Sequence, residues 1–359
     1  MTSLKYGLVG AGMMGREHIR NVALLDDVTV AAVADPDDEQ RATSAALVGA
    51  APYANHRALI AEDRCDAYIV AAPNDLHHSL ILDLLATGRP VLCEKPLGIT
   101  AAECRDIIAR APDPALVWVA MEYRYMPPVS RLLDEVAAGT VGTPRMIAIR
   151  EHRFPFLEKV GDWNRFNART GGTMTEKCCH FWDLMRRALR ADPVRVYASA
   201  GADVNHAGER YDGRRPDIVD NGFVVVDFAN GARGMLDLCM FAEGSYWQET
   251  VAVTGERARV EAFVPGPARF SPDGVERTSE IAIADRADRI ERREEIEVDA
   301  SILGAGDHHG STYYQHRDFA RMVREGGAPT VTLDDGLWSV RVGEAAEESA
   351  RTGRAIDLT

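Results

Sequence analysis

No apolar run in this chain approaches the roughly 20 residues that a membrane helix needs, so no membrane partner is expected. A basic surplus is also missing. Lys and Arg number 41 against 55 Asp and Glu, a formal charge of −14, which argues against nucleic acid as a partner. The six cysteines show no CxxC or other metal-ligand spacing, so no metal is expected; Cys178 and Cys179 are adjacent and would point apart on a helix. Reduced thiols in a cytoplasmic protein are the simplest reading. Strand-like sequence starts within a few residues of Met1, leaving no room for a signal peptide. Internal repeats and low-complexity segments are absent as well. What remains is ample apolar material, 46% of 359 residues, enough for two domains that each bury a core.

The first 123 residues alternate short apolar runs with helical patterns, as a parallel sheet with crossover helices requires. Strands are predicted at Tyr6–Val9, Val28–Ala34, Ala67–Ala71, Val91–Cys93 and Leu116–Ala120, with helices at Met14–Leu25, Asp38–Val48, His77–Ala86 and Ala101–Ala109. After residue 140 longer strands dominate: Pro144–Arg150, Arg195–Ser199, Phe223–Phe228, Gly234–Met240, Glu249–Thr254 and Arg259–Phe263. Asn230-Gly231 and Gly255-Glu256 read as hairpin turns. The expectation is an α/β doubly wound domain over 1–123 and an α+β domain with a mostly antiparallel sheet over 124–359. The charged stretch Arg286–Glu295 reads as a solvated loop or strand edge, and Thr312–Arg324 and Asp335–Ala350 as closing helices.

Gly10-Ala11-Gly12-Met13-Met14-Gly15 follows the first strand directly. In such a loop the first glycine permits the turn, the second admits a pyrophosphate, and the third lets helix and strand pack closely. The helix amides near Met13 and Met14 then face the phosphates. Asp35, at the end of the second strand, can accept both ribose hydroxyls and would repel a 2′-phosphate, and Asp37, Asp38 and Glu39 follow it; NAD is favoured over NADP. Pro73, Asn74 and His77 end the next strand at the same edge, where they can meet the cofactor; a turn and a helix cap are the alternative. At the end of the run Pro90–Cys93 stand Glu94-Lys95-Pro96, a lysine with no structural reason to be there unless it reaches into a cleft.

Together these residues, with Arg124 and Pro127 and with Gly171-Gly172 followed by His180 and Asp183, resemble the glucose–fructose oxidoreductase / inositol dehydrogenase (Gfo/Idh/MocA) family. The resemblance implies a Rossmann domain plus a domain with an open sheet, and an active site between them. It implies hydride transfer between nicotinamide and a sugar or cyclitol carbon, with Lys95 and Glu94 at the cofactor and Lys95 and Arg124 at the substrate. The open sheet would serve as an oligomer interface, so a homodimer or homotetramer is expected. The loop Trp163-Asn164-Arg165 would approach cofactor or substrate, and Tyr314 would supply a substrate contact; a helix-entry loop explains His308–His316 almost as well.

Oxidising a secondary alcohol needs a proton acceptor with a pKa near working pH, which histidine has unperturbed. Met174–Leu184 reads as one helix, on which Glu176 and His180 share a face. Glu176, where the family commonly has aspartate, would orient or tune His180 or touch a substrate hydroxyl. It can equally be a favourable charge at a helix N-terminus. Between Arg145 and Arg190 there are ten basic residues against five acidic. Arg186, Arg187 and Arg190 read as a solvated face, whereas Arg153, Arg165 and Lys177 flank the active-site segment and suit an anionic sugar. The leading expectation is an NAD-dependent sugar or cyclitol dehydrogenase with Lys95, His180 and Glu176 as catalytic residues. A second is an NAD-dependent glycoside hydrolase that oxidises, eliminates, hydrates and re-reduces an anionic glycoside such as a sulfoquinovoside. A third is a non-catalytic NAD-sensing subunit, against which Lys95 and His180 argue.

Overall fold

The computed structural model describes residues 3–358. Six strands form the first sheet: β1 (Leu4–Val9), β2 (Val28–Ala34), β3 (Ala51–Tyr53), β4 (Ala67–Val70), β5 (Val91–Cys93) and β6 (Val117–Val119). They are all parallel, in the order β3-β2-β1-β4-β5-β6. Helices cover both faces, and so β4, β5 and β6 are buried along their whole length and read as unbroken apolar runs. The strand order reverses between β1 and β4, which opens a crevice beyond their carboxyl ends. The predicted strands and helices of this half lie within a few residues of those observed. β3 and the helix His56–Ala61 were not foreseen; a three-residue strand carrying Pro52 offers no periodic signal.

Nine strands form the second sheet: β7 (Pro144–His152), β8 (Pro193–Gly201), β9 (Asn221–Phe228), β10 (Arg233–Cys239), β11 (Trp247–Gly255), β12 (Ala258–Pro265), β13 (Ser279–Asp285), β14 (Glu291–Ile296) and β15 (Ile356–Asp357). Their order is β14-β13-β12-β11-β7-β10-β9-β8-β15, antiparallel throughout except for the pair β7–β10. Gly231 at φ 80° closes the foreseen β9–β10 hairpin. The charged stretch after residue 286 turns out to be mostly β14, an edge strand whose run of five charged residues protects the sheet margin. β13 beside it was missed.

One face of this sheet is covered by helices. The other is open and carries Met146, Tyr197, Phe223, Val225 and Met235, each more than two-fifths exposed. Register places Tyr197, Val225 and Met235 in one row across β8, β9 and β10.

The last two helices, Ser311–Glu325 and Leu333–Thr352, close the cleft from behind. Phe319, Ala320, Leu333 and Val340 join the core of the first sheet, whereas Val342, Ala345 and Ala346 join that of the second. A single helix thus fixes the two cores against one another. No helix among the described residues is long and apolar enough to cross a membrane.

Candidate active site

The glycine loop has the shape its spacing implies. Gly10 sits at φ 98°, and a side chain there would lie 2.5 Å from the Ala71 backbone. A side chain at Gly15 would overlap the Gly10 carbonyl oxygen, while one at Gly12 would meet no protein atom within 4 Å. The loop is therefore closed on the protein side and open where a pyrophosphate belongs. Helix Met13–Val22 starts there without a side-chain cap, leaving its first amides available to an anion. Asp35 accepts hydrogen bonds from the amides of Ala11 (2.7 Å) and Asp37 (2.8 Å), which ties the acidic residue to the loop. Asn74 is buried near the Thr170 carbonyl. His77 lies 2.7 Å from the Pro96 carbonyl and 3.0 Å from that of Ala72. Burial lowers its pKa, so the ring is neutral and steadies the strand-end loop with a single N–H.

Lys95 leaves β5 through a cis Lys95-Pro96 peptide and donates to the Glu176 carbonyl at 3.1 Å. Burial alone would push its pKa down. Cys179, Glu176 and Glu94 more than offset this, so the group is an ammonium. His180 is 2% exposed and stacks on Tyr123 with ring centres 4.1 Å apart, and its Nδ1 has no hydrogen-bond partner. Burial, then Lys95 and Lys177, hold its pKa well below the usual value, and the imidazole is neutral.

The expected single helix is broken into Thr173–Glu176 and Cys179–Leu189. No hydrogen bond joins Glu176 to His180. The carboxylate has Oε1 3.8 Å from Lys159 Nζ, and its buried Oε2 has no partner. The break at Lys177 and Cys178 turns the lysine onto the sheet, where Nζ lies 2.8 Å from Glu151 Oε1 and donates to the Tyr123 hydroxyl. Tyr123 in turn donates to Glu249 at 3.2 Å, and Arg153 lies 3.5 Å from Glu151. Burial and the charge of Glu151 push Glu249 up to about 7, while burial and Arg153 lower Lys177. Tyr123, Glu151, Glu249 and Lys159 were not singled out from sequence. Two of them carried a signal: Glu151 continues the buried alternation of Ile147 and Ile149, and Glu249 that of Val251 and Val253. A carboxylate on the inward side of an apolar strand points to a site.

Several residues expected at cofactor or substrate have protein partners in the structure. Arg124 is buried in a bidentate pair with Asp183, 3.3 Å from Asp335, and donates to the Thr330 carbonyl, so its charge and most of its hydrogen-bonding edge are engaged inside the protein. Asp183 lies one turn beyond His180, and its buried charge requires that partner. Tyr314 is on another wall, lining a cavity with Arg124 and away from Lys95 and His180. Arg165, 1% exposed, is paired with Glu209 at 2.8 Å, and buried Trp163 packs under Lys159. Glu94 gives Oε1 to His18 at 2.9 Å and Oε2 to the Lys95 amide at 3.2 Å, so it holds the loop from within. Although burial would raise Glu94, His18 brings it down to about 2.

Behind Tyr123, His308 bridges two buried carboxylates, with Nδ1 2.6 Å from Glu17 and Nε2 3.6 Å from Glu122; the Thr312 hydroxyl lies within reach of both, 3.1 Å from Glu17 and 2.7 Å from Glu122, with one hydrogen to donate. Burial opposes charging of the ring, but Glu122 and Glu17 raise it to about 9 against the nearby Lys177. A folded-state pKa above the unfolded value contributes stability that is full below about 6.5 and lost as pH rises through about 9. Melting temperature is expected to fall from pH 7 to 9.5 more steeply in the wild type than in His308→Gln; equal slopes would remove this cluster as the cause.

A glycine-loop Rossmann sheet facing a lysine and a buried histidine defines an NAD-binding oxidoreductase. Residues 4–121 match the NAD-binding Rossmann fold of one oxidoreductase family, and residues 134–358 match that family's C-terminal alpha/beta domain. The chain belongs to the Gfo/Idh/MocA family, and its cofactor is NAD. It is 24% identical to a myo-inositol 2-dehydrogenase of Thermotoga maritima, over 99% of this chain and 98% of the relative. It is 30% identical to an inositol 2-dehydrogenase of Ralstonia nicotianae, over 84% and 86%. Among solved structures, levoglucosan dehydrogenase in complex with NADH shares the fold with a TM-score of 0.82 at 21% identity, covering 100% of both chains.

Proposed function

We propose that this enzyme oxidises a secondary hydroxyl of a sugar or cyclitol. One observation carries the reading: a lysine held as ammonium and a histidine held neutral stand together at the carboxyl edge of the sheet that forms the NAD cradle. Gly10, Gly12, Met13, Met14, Gly15, Asp35, Pro73, Asn74 and His77 hold or border the cofactor, which when bound supplies the hydride acceptor. Lys95 hydrogen-bonds the reacting hydroxyl and stabilises the oxygen as it gives up its proton. His180, already neutral, takes that proton, and the stack on Tyr123 fixes its ring plane. Glu176 offers its unpartnered Oε2 to a substrate hydroxyl. Residues 1–123 serve the cofactor and 124–359 the substrate, with the closing helices joining them.

The relatives named inositol and levoglucosan dehydrogenase support a polyol substrate. The anionic version rests on Arg153 and Lys177. Both face Glu151, and Glu249 lies beyond, so their charge is already matched inside the wall; this favours a neutral polyol. The exposed apolar row on the open sheet face suits a second copy of the chain, hence a dimer or tetramer. Six free cysteines suit the reducing cytoplasm.

The test is to incubate purified enzyme and NAD with neutral and acidic sugars, cyclitols and their aryl glycosides, following nicotinamide absorbance and aglycone release together. Accumulation of NADH with a free polyol supports the dehydrogenase. Aglycone release without net NADH assigns redox-neutral glycoside cleavage, and neither signal from any sugar leaves only a sensing role.

A further inference from the structure

A cavity of about 710 Å³ lies between helices Pro127–Ala138, Cys179–Leu189 and Ser311–Glu325. Neither Lys95 nor His180 lines it. Its volume falls within the range of small-molecule pockets. Five guanidinium groups border it against two carboxylates, Asp134 and Asp318, in a chain whose net charge is −14. Three of the five already have partners: Arg124 with Asp183, Arg131 with Glu135, and Arg317 with Asp318 at 3.4 Å. Arg187 and Arg190 are exposed and form no ion pair with any described residue.

Basic residues at a helix C-terminus are favoured by the macrodipole and need no ligand for that reason alone. Two further features go beyond it. Arg190 closes its helix in the left-handed region, φ 52° and ψ 41°, where glycine or asparagine is the usual choice. Arginine carries a conformational cost there that glycine would not, and this one has its guanidinium at the cavity border. The cavity also has an apolar side, from half-buried Leu133 and the ring of Tyr314, which a merely solvated charged face would not present; Val136 and Ala188 beneath it are buried in the core. Tyr314 stands at the rim with the Arg317 guanidinium 5.1 Å from its ring centre.

We propose that this cavity is an accessory binding site for a small phosphate or sulfonate monoester with a compact apolar body. The anionic group would be held by the forks of Arg187 and Arg190, and the body would lie against Leu133 and the Tyr314 ring. The site is separate from the catalytic cleft, at the far end of the helix that carries His180, about 15 Å along its axis. It does not depend on which hydroxyl the enzyme oxidises.

The test uses the full-length enzyme saturated with NAD, so that the dinucleotide cradle is filled, titrated calorimetrically with phenyl phosphate. Saturable binding of one molecule per chain is expected, with no binding of benzyl alcohol. Affinity should fall by about tenfold or more in Arg187→Gln/Arg190→Gln, with activity in the absence of probe unchanged. Ala137→Trp, which adds bulk from the facing helix, should also weaken binding and keeps the test decisive if the double variant is unstable. No saturable heat in the wild type, or equal affinity in the wild type and a folded variant, overturns the proposal.

Discussion

Lys95→Met is expected to lower kcat by about three orders of magnitude while leaving NAD affinity within about twofold. Methionine keeps most of the volume and removes the charge. Only one protein hydrogen bond is lost with it, that to the Glu176 carbonyl, so the fold should survive. The charge is what catalysis needs, because oxygen becomes negative as its proton leaves, and a nearby ammonium is worth more in a buried site than in water. Since the folded protein holds this lysine above its usual pKa, its charge favours His180 as the proton acceptor in the proposed reaction. His180→Gln should therefore also cost about two orders of magnitude or more in kcat. Single-turnover kinetics with circular dichroism would check both. A Lys95→Met enzyme retaining a tenth of wild-type kcat would end the assignment of Lys95.

What the sequence disclosed, and what it did not, follows from the range of the interactions. The parallel sheet was legible because each buried strand is its own signal: Tyr68-Ile69-Val70 and Val91-Leu92-Cys93 need no partner to be recognised. The glycine loop and the strand-end lysine are local in the same way. The wall of the site is different. Glu151 and Glu249 stand opposite each other only because β7 and β11 pair in one register, 98 residues apart in the chain. Lys177 looks like a free cation until the break after Glu176 lays it on Glu151, which stands two residues before Arg153 in the chain. Arg124 attracted attention through resemblance and proved to neutralise Asp183, whereas its neighbour Tyr123 supports the histidine. No glycine or proline marks the break after Glu176. It comes from Lys177 and Cys178 both bonding the Thr173 carbonyl, a choice made by packing rather than by local propensity.

Gly12→Val should abolish measurable NAD binding, a loss of at least about a hundredfold, in a protein that melts close to wild type. The three glycines of the loop make this separable from unfolding. At Gly10 a side chain meets the Ala71 backbone and needs φ 98°, and at Gly15 it overlaps the Gly10 carbonyl. Valine at either position must move backbone, so lost binding there would say little about the cofactor. At Gly12 the added atoms meet no protein within 4 Å, and the residue's backbone, φ −72° and ψ −158°, is open to any L side chain. The space they fill is the space in front of the uncapped amides of helix Met13–Val22, where a pyrophosphate would lie. Energy transfer from tryptophan to NADH measures the binding, and thermal melting measures the fold. Normal NADH affinity in a folded Gly12→Val protein would mean that the dinucleotide crosses the sheet edge elsewhere. Loss of affinity with an unchanged melting temperature puts the pyrophosphate at this loop and, with it, the nicotinamide within reach of Lys95.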